Sequence, residues 1–319
     1  MSGVLHGAFM PKFSKSLFLI PAVMVLGAMG TRLFGPTPLN EAQFNALYDA
    51  PASVTQEPLK VYHLGHSLVS RDMPAMFAQL AGKGHDYHSQ MGWGTFLKAH
   101  WDPDTPINGF EDGNGHNRYR DAHDAVGSGE YDVVVLTEAV EIRDSIKYMD
   151  SPQMLHNWAQ AAWDSNPGAR VYLYETWHNL DDPEGWLNRL DRDLGLYWEG
   201  QILSPALNMQ DTPRPIYVIP GGQVMAKVTR AIEDMGGIGP LETRQDLFKD
   251  TIHFNDYGAY LMALTHYAVL YQRSPVGLPY QLNKADGTPA QSLGPQAAAL
   301  LQALVWEVVT GYAPTGVRG

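Results

Sequence analysis

The sequence predicts an α/β protein of three layers, in which helices cover both faces of a central parallel sheet. Five short apolar or β-branched segments alternate along the chain with segments of helical periodicity, and this alternation is typical of parallel sheets with crossover helices. One of these segments, Val-Val-Val-Leu at 133–136, is continuously apolar, as expected for a parallel strand covered on both faces. With 319 residues, 45% of them hydrophobic, the chain can form a sizeable core in one large domain.

The predicted strands and helices follow one another from residue 59 onwards. The strands are 59–64, 87–91, 131–137, 170–175 and 215–219, and the helices are 73–81, 118–126, 152–165, 184–203, 223–235, 256–271 and 296–309. Each predicted strand runs into polar residues or glycine at its carboxyl end. Because open α/β sheets bind their ligands at the carboxyl ends of the strands, we expect the functional site at that edge.

The N-terminal segment has the layout of a secretory signal. Lys12 and Lys15 precede an apolar run at 17–30, and that run is shorter than the ~20 residues that a membrane-spanning helix needs. We therefore predict a signal peptide or N-terminal anchor at 1–30, a linker with one short helix at 31–58, and a folded domain at 59–319. The protein is expected to be exported to the periplasm or the medium, without stable membrane insertion once the signal is removed; an uncleaved segment would anchor it. A buried N-terminal helix is the alternative.

Charge and composition exclude several classes of function. The chain carries 34 acidic and 22 basic residues, a net charge of −12, and no basic cluster stands out. A protein of this charge repels phosphate backbones, so nucleic acid is not expected as a partner. The chain has no cysteine, which excludes disulfides, thiolate metal sites and a cysteine nucleophile.

Ser67 is the first candidate catalytic residue. It lies in the sequence Gly-His-Ser-Leu at 65–68, directly after a predicted strand and before a predicted helix. A serine at such a turn is exposed for attack, and the following helix offers N–H groups to an oxyanion. The hydroxyl needs a neighbouring base, because a free serine is a poor nucleophile at neutral pH.

Asp250 and His253 can supply that base. They lie three residues apart on a predicted loop before the helix 256–271. The carboxylate can accept the imidazole N–H, which fixes the tautomer and stabilises the imidazolium that forms when the histidine takes the serine proton. A capping aspartate beside a surface histidine is the alternative reading of the same residues.

Together the two motifs resemble those of the SGNH/GDSL hydrolases. Gly-His-Ser-Leu at 65–68 is similar to the Gly-Asp-Ser-Leu block of that family, and Asp-Thr-Ile-His at 250–253 is similar to its Asp-x-x-His block. The resemblance implies a flavodoxin-like α/β/α fold and ester hydrolysis through an acyl-serine intermediate. It also implies an oxyanion hole built from the N–H groups of Ser67 and of a glycine, Gly94 or alternatively Gly92, and from an asparagine side chain.

The chain departs from that family at two positions. His66 replaces the aspartate of the first block, and Glu138 stands where the third block has an asparagine. We expect Glu138 to face the pocket and bind substrate, because a carboxylate repels an oxyanion. A third oxyanion donor would have to come from His66 or from a residue near Trp93. His66 and Trp177, the latter as an exposed surface for sugar stacking, complete the predicted substrate-binding residues.

The resulting hypothesis is an exported serine esterase that needs no cofactor or metal. The histidine pairs at three-residue spacing lack a completing carboxylate, and Pro103 and Pro106 break any calcium-loop pattern at 102–114. The favoured substrate is an O-acetyl ester on a carbohydrate, either a small molecule or an oligosaccharide. Two alternatives are a thioesterase or lysophospholipase with the same triad and a noncatalytic carbohydrate-binding or polysaccharide-assembly protein.

Overall fold

A computed structural model describes residues 36–53 and 58–319. Within them, five strands form one sheet in the order β2-β1-β3-β4-β5, and all neighbouring strands are parallel. The strands are β1 (Lys60–His66), β2 (Asp86–Gly92), β3 (Val133–Leu136), β4 (Arg170–Glu175) and β5 (Tyr217–Pro220). The predicted three-layer α/β/α class with a central parallel sheet is confirmed.

The order of the strands determines where a site can form. β1 lies between β2 and β3, so the chain first moves to one side of β1 and then crosses over to the other. This reversal leaves a crevice beyond the carboxyl end of β1, which is where open α/β sheets bind ligands. The register pairs His66, the last residue of β1, with Gly92, the last residue of β2. The loops after β1 and β2 therefore begin level with each other.

Helices cover both faces of the sheet. They are α1 (Glu41–Ala46), α2 (Asp72–Ala81), α3 (Leu97–Trp101), α4 (Phe110–Asn114), α5 (Ala122–Gly127), α6 (Ile142–Tyr148), α7 (Ser151–Ser165), α8 (Trp186–Asp193), α9 (Ser204–Asn208), α10 (Gly221–Met235), α11 (Asp256–Leu270) and α12 (Gly294–Gly311), with a π-helical segment at Leu194–Leu203 between α8 and α9. One layer contains α2, α11 and α12, and the other contains α3, α5 and α7.

Helix α11 explains an unusually apolar stretch of sequence. Every residue from Gly258 to Leu270 is buried, because the helix contacts α2, α12 and β5. Its N-terminus is capped by Asn255, whose side chain accepts the N–H groups of Tyr257 and Gly258. A rigid buried helix with a defined start holds the loop that precedes it in place.

The structure corrects the predicted domain start. The domain begins at Pro36 rather than at residue 59, because Leu39, Tyr48 and Ala52 are buried in the core. The Tyr48 hydroxyl donates to the carbonyl of Ile216 at 2.8 Å. Residues 36–53 are therefore part of the fold and not a linker, while the predicted signal at 1–30 lies outside the described residues.

Helix boundaries also differ in places from the prediction. The predicted helix 118–126 starts only at Ala122, because Tyr119 pairs with Ser89 beside β2 and Asp121 caps the helix. The short helices α3, α4, α6 and α9 were not predicted, since five to seven residues are too few for a clear period. Among the described residues, none of the helices combines the length and apolar character that crossing a bilayer requires.

Candidate active site

Ser67 lies in a tight turn at the carboxyl end of β1. The N–H of Val69 donates to the carbonyl of His66 at 2.9 Å and closes the turn. Gly65 precedes it because β3 runs too close for a side chain: a Cβ at this position would come within 2.3 Å of Cγ2 of Thr137. The glycine of the motif is thus required by the approach of the neighbouring strand.

Gly65 is also held by a buried histidine. Nε2 of His100 donates to its carbonyl at 2.8 Å, and Nδ1 of the same ring faces Nε2 of Gln90 at 3.0 Å. The other end of the Gln90 amide accepts the N–H of Ala122 at 2.9 Å. This chain of hydrogen bonds fixes the backbone one residue before the His66–Ser67 pair, and the sequence motifs give no sign of it.

Asp250 and His253 lie on a loop that folds back on itself before α11. The N–H of Lys249 donates to the carbonyl of His253 at 2.9 Å. One carboxylate oxygen of Asp250 accepts the N–H groups of Ile252 and His253 at 2.9 and 2.7 Å. The spacing of three residues is what lets the carboxylate cap the turn and reach the imidazole at the same time.

The structure brings Ser67, His253 and Asp250 together into one hydrogen-bonded chain. Nδ1 of His253 lies 2.8 Å from Oδ2 of Asp250, and Nε2 lies 2.9 Å from Oγ of Ser67. Because the carboxylate can only accept, Nδ1 carries the proton and Nε2 is free to accept the serine O–H. These are the distances expected between a nucleophile and its base.

Asp250 is held in its ionised form. Partial burial raises its pKa, but the N–H groups of His253 and Ile252 and the His253 ring outweigh that effect and lower the pKa to about 2. The carboxylate is therefore negative throughout the neutral range and can stabilise a positive imidazole.

The three side chains lie at an open cavity of about 710 Å³. Its wall includes His66 and Ser67 from the end of β1, Gly92, Trp93 and Gly94 from the end of β2, and Asp250 and His253 from the loop before α11. A volume of this size accommodates a small-molecule or oligosaccharide ligand. Ser67 is thus accessible to a substrate that enters from solvent.

Ser67 and Gly94, whose N–H groups are expected from the sequence to bind an oxyanion, both line this cavity. In the described part of the chain, the N–H groups of Ser67 and Gly94 have no acceptor. Gly94 has a φ of +55°, which a residue with a side chain rarely adopts. Gly92 instead has no room for a side chain, since a Cβ there would lie 2.1 Å from Oγ1 of Thr95.

His66 lines the cavity but is not a free donor. Its Nε2 donates to the carbonyl of Glu138 at 3.0 Å, and burial lowers the pKa of the ring to about 4. A neutral ring with the proton on Nε2 has no second N–H, so the expectation of a third oxyanion donor from His66 is wrong. Its role here is to join the Ser67 turn to the end of β3.

Glu138 does not face the cavity, contrary to the expectation from the sequence. It is fully buried, and Oε1 accepts the N–H groups of Leu97 and Ala139 at 3.2 and 2.8 Å. Burial raises the pKa of its carboxyl to about 7, although these N–H groups and the Ser151 hydroxyl favour the ionised form. The carboxyl joins the end of β3 to the start of α3, and it cannot reach substrate from there.

Trp177 is likewise buried, so the prediction of an exposed stacking surface is wrong. Its indole N–H donates to the carbonyl of Ile252 at 2.8 Å, and its ring lies against Phe248 and Phe254. Trp177 therefore supports the loop that carries Asp250 and His253. Trp93 lines the cavity and is 57% exposed. The sequence did not indicate it as a stacking surface, because it lies inside a glycine-rich turn.

A second polar cluster lies in the segments that follow β3 and β4. Glu141, His178 and Asp182 could together offer ligand atoms to a metal ion, but the guanidinium of Arg189 lies among them. It contacts Glu141 at 2.9 Å and Asp182 at 2.8 Å and is fully buried. Arg189 already supplies the positive charge that these carboxylates need, which makes the cluster an ion-pair network.

Comparison with solved structures supports the fold. The chain is similar to a DUF4886 family protein from Bacteroides uniformis, with 14% identity, a TM-score of 0.50, and coverage of 79% of this chain and 95% of that chain. It has the same fold. The β-sheet and helical layers described above are thus those of a known structure, at an identity too low to transfer residue roles.

Two other solved structures are more distant. They are a GDSL-like lipase from Parabacteroides merdae (11% identity, TM-score 0.42, 69% of this chain and 99% of that chain) and the lipase Lip_vut3 from a goat rumen metagenome (13% identity, TM-score 0.38, 66% and 97%). No protein-family model matches the sequence, and no curated protein matches it significantly.

Proposed function

We propose that this protein is a serine hydrolase that cleaves an ester through an acyl-serine intermediate. The observation that carries the proposal is the continuous hydrogen-bonded chain from Asp250 through His253 to Ser67 at the wall of an open cavity. A capping aspartate and a surface histidine would have no reason to meet a serine from the opposite end of the chain.

The proposed reaction has two halves. Nε2 of His253 accepts the Ser67 proton while Oγ attacks the acyl carbonyl, and the imidazolium then donates that proton to the departing alkoxide, which leaves as the alcohol. In the second half, His253 takes a proton from water, the hydroxide attacks the acyl-serine, and the proton returns to Ser67 as the acid leaves. The N–H groups of Ser67 and Gly94 stabilise the oxyanion of each tetrahedral intermediate.

An O-acetyl group on a carbohydrate is the substrate class that we favour. The cavity is open and lies beside an exposed indole at Trp93, and a large aromatic face with polar neighbours suits a sugar ring. The open shape also leaves room for an oligosaccharide to extend beyond the acetyl group.

The test is hydrolysis of nitrophenyl acetate and labelling by a fluorophosphonate. Wild-type protein should turn over the ester and react covalently with the probe, whereas Ser67→Ala should lose at least about 10³-fold in kcat and all labelling, because only the nucleophile is removed. Equal turnover by the two proteins would refute the proposal. Binding of acetylated oligosaccharides without turnover would point instead to a noncatalytic carbohydrate-binding protein.

We also propose that residues 1–30 direct export, on the basic flank and short apolar run of the sequence. N-terminal sequencing of the natively expressed protein should find that about the first 30 residues have been removed. An intact Met1 on protein recovered from the cytosol would contradict this.

A further inference from the structure

The cavity that contains Ser67 carries two cations that the proposed reaction does not use. Arg71 and Lys249 both line it and are both exposed. In the described part of the chain neither side chain takes part in an ion pair or donates a hydrogen bond to the protein, whereas cations such as Arg118, Lys98 and Arg230 are paired with carboxylates. Two unpaired cations at one cavity contrast with the net charge of −12 of the whole chain.

The nearby carboxylates do not neutralise these cations. Asp250 is held by His253 and by two backbone N–H groups. Asp72 accepts the N–H of Ala285 at 2.9 Å, and Asp256 accepts the N–H of Gln291 at 2.9 Å. Each of these acids is therefore engaged elsewhere, and none lies within ion-pair distance of Arg71 or Lys249.

Arg71 lies at a position where its charge does not stabilise the fold. It is the N-cap residue of α2 and makes no side-chain capping bond. The N-terminus of a helix carries a partial positive charge, so a cation there is destabilising, and serine, threonine, asparagine or aspartate is preferred. A residue that breaks a local rule without a structural gain is expected at a functional site.

Trp93 adds a flat apolar surface to the same cavity. Its ring lies against Gly109, where a Cβ would come within 2.2 Å of the indole. The φ of +64° at Gly109 favours glycine as well. The loop thus supports the ring on one side, while 57% of the residue remains exposed.

We propose that the substrate is an O-acylated saccharide that carries an anionic group, whose sugar ring stacks on Trp93 while Arg71 and Lys249 bind its carboxylate or sulfate. This inference rests on the proposed function and narrows its substrate class. An indole accounts for a sugar, but a neutral sugar leaves both cations without a partner. The two charges also attract an anionic substrate toward a cavity in a protein that otherwise repels it.

The experiment compares charged and neutral substrates that differ in nothing else. Acetylated oligogalacturonate is assayed beside the same oligomer with its carboxyl groups reduced to alcohols, and an acetylated sulfated oligosaccharide is assayed beside its desulfated form. The readout is the ratio of kcat/KM for the charged member to that for the neutral member. Wild-type protein should prefer at least one charged member, and the preferred pair identifies the anion.

The variants test which residues cause that preference. R71Q/K249Q should lower the ratio by about 10-fold, the effect of two exposed charge pairs. Lys83→Gln removes one positive charge, half of the change in R71Q/K249Q, at an exposed site before β2, at the opposite edge of the sheet, and should leave the ratio unchanged. Trp93→Ala should raise KM for both members together. A ratio of one in the wild type, or an equal ratio in the wild type and R71Q/K249Q, overturns the inference.

Two further measurements separate this inference from the proposed function. Raising the salt concentration should lower the ratio in the wild type, because salt screens exposed charges. Calorimetry with Ser67→Ala should show tighter binding of oligogalacturonate than of its reduced form, and this needs no catalysis. Turnover of nitrophenyl acetate without any charge preference refutes the inference alone, whereas charge-selective binding without turnover refutes the esterase and supports the anionic site.

Discussion

The residues that follow the strands at the carboxyl edge of the sheet are open to solvent in one half of that edge and buried in the other. Beyond β1 and β2, Ser67, Trp93 and Gly94 line an open cavity. Beyond β3 and β4, Glu138 and Glu175 are buried and bind backbone N–H groups of the protein itself. The comparison teaches that a polar residue after a strand is a candidate site residue only if the loops above it leave it open to solvent.

Glu175 illustrates how the side chains beyond β3 and β4 are closed off from solvent. Its carboxyl accepts the N–H groups of Gly222 and Gln223 at the start of α10, at 2.7 and 3.3 Å. Burial raises its pKa to about 8, against the effect of the Gln223 side chain and these N–H groups. A Cβ on Gly222 would lie 2.3 Å from this carboxyl, so the chain leaves no space there for a ligand.

The largest effect is expected from Asp250→Asn in the open half. The amide can donate to Nδ1 of His253 and so favour the tautomer with the proton on Nε2, which cannot accept the Ser67 proton. We expect kcat to fall by about 10⁴-fold, while the turn survives because the amide oxygen still accepts the N–H groups of Ile252 and His253. The measurement is ester kinetics with thermal unfolding, and Asp234→Asn at an exposed site of α10 is the control. An active Asp250→Asn variant would remove Asp250 from the mechanism.

In the closed half, Arg189→Ala should affect stability rather than chemistry. The change leaves Asp193, Asp182 and Glu141 without the cation they share, and breaking a buried ion pair in this way costs about 3–5 kcal/mol. Urea unfolding measures it. Arg230→Ala, which removes an exposed contact to Asp191, should cost less than about 1 kcal/mol. If both variants lose the same stability, the network does not depend on burial.

A smaller effect is expected at Glu138, and it distinguishes a structural from a substrate-binding role. Glu138→Ala leaves the N–H groups of Leu97 and Ala139 without their acceptor, a loss of about 1–3 kcal/mol in the free energy of unfolding. Glu138→Gln keeps an acceptor oxygen and should be nearly as stable as the wild type at neutral pH, with KM unchanged. A raised KM in Glu138→Gln with normal stability would return Glu138 to the substrate-binding residues.

The smallest effects concern pH. Burial lowers the pKa of His66, His85, His100 and His266 to about 4, so the folded state binds fewer protons than the unfolded state between about pH 4 and 6.5, and these groups reduce stability as the pH falls through that window. Glu138 and Glu175, with pKa values raised to about 7 and about 8, reduce stability as the pH rises above 4.5. Each group contributes at most about 1.4 kcal/mol per pH unit.

Urea unfolding from pH 5 to 8 checks both directions. Above pH 6.5 only the two carboxyls remain to titrate among these six groups, so the wild type should lose stability as the pH rises to 8, by at most about 1.4 kcal/mol per pH unit for each carboxyl. Glu138→Gln should lose less over the same range, because its amide does not titrate. An identical slope for the two proteins would show that Glu138 is ionised in the folded state at neutral pH.

Much of the site could be predicted because it depends on local sequence. The turn at Ser67 follows from Gly-His-Ser-Leu between a predicted strand and a predicted helix, and the Asp250–His253 contact follows from a spacing of three residues that lets one carboxylate cap the loop. The exposure of Trp93 and the burial of Trp177 could not be predicted. Both are tryptophans after a strand. Residues 248–254 cover the Trp177 ring, whereas Gly109 contacts Trp93 and leaves 57% of that residue exposed.

The sequence by itself determined the layers of the fold, since the apolar period of each strand and helix is a local property set by burial on one or two faces. It also determined which strand ends carry polar groups. Tertiary structure alone decided which of those groups are accessible, because burial of Glu138, Glu175 and Trp177 depends on helices and loops distant in the chain. It likewise decided that Arg71 and Lys249 remain unpaired, since ion pairing depends on where every neighbouring carboxylate is already bound.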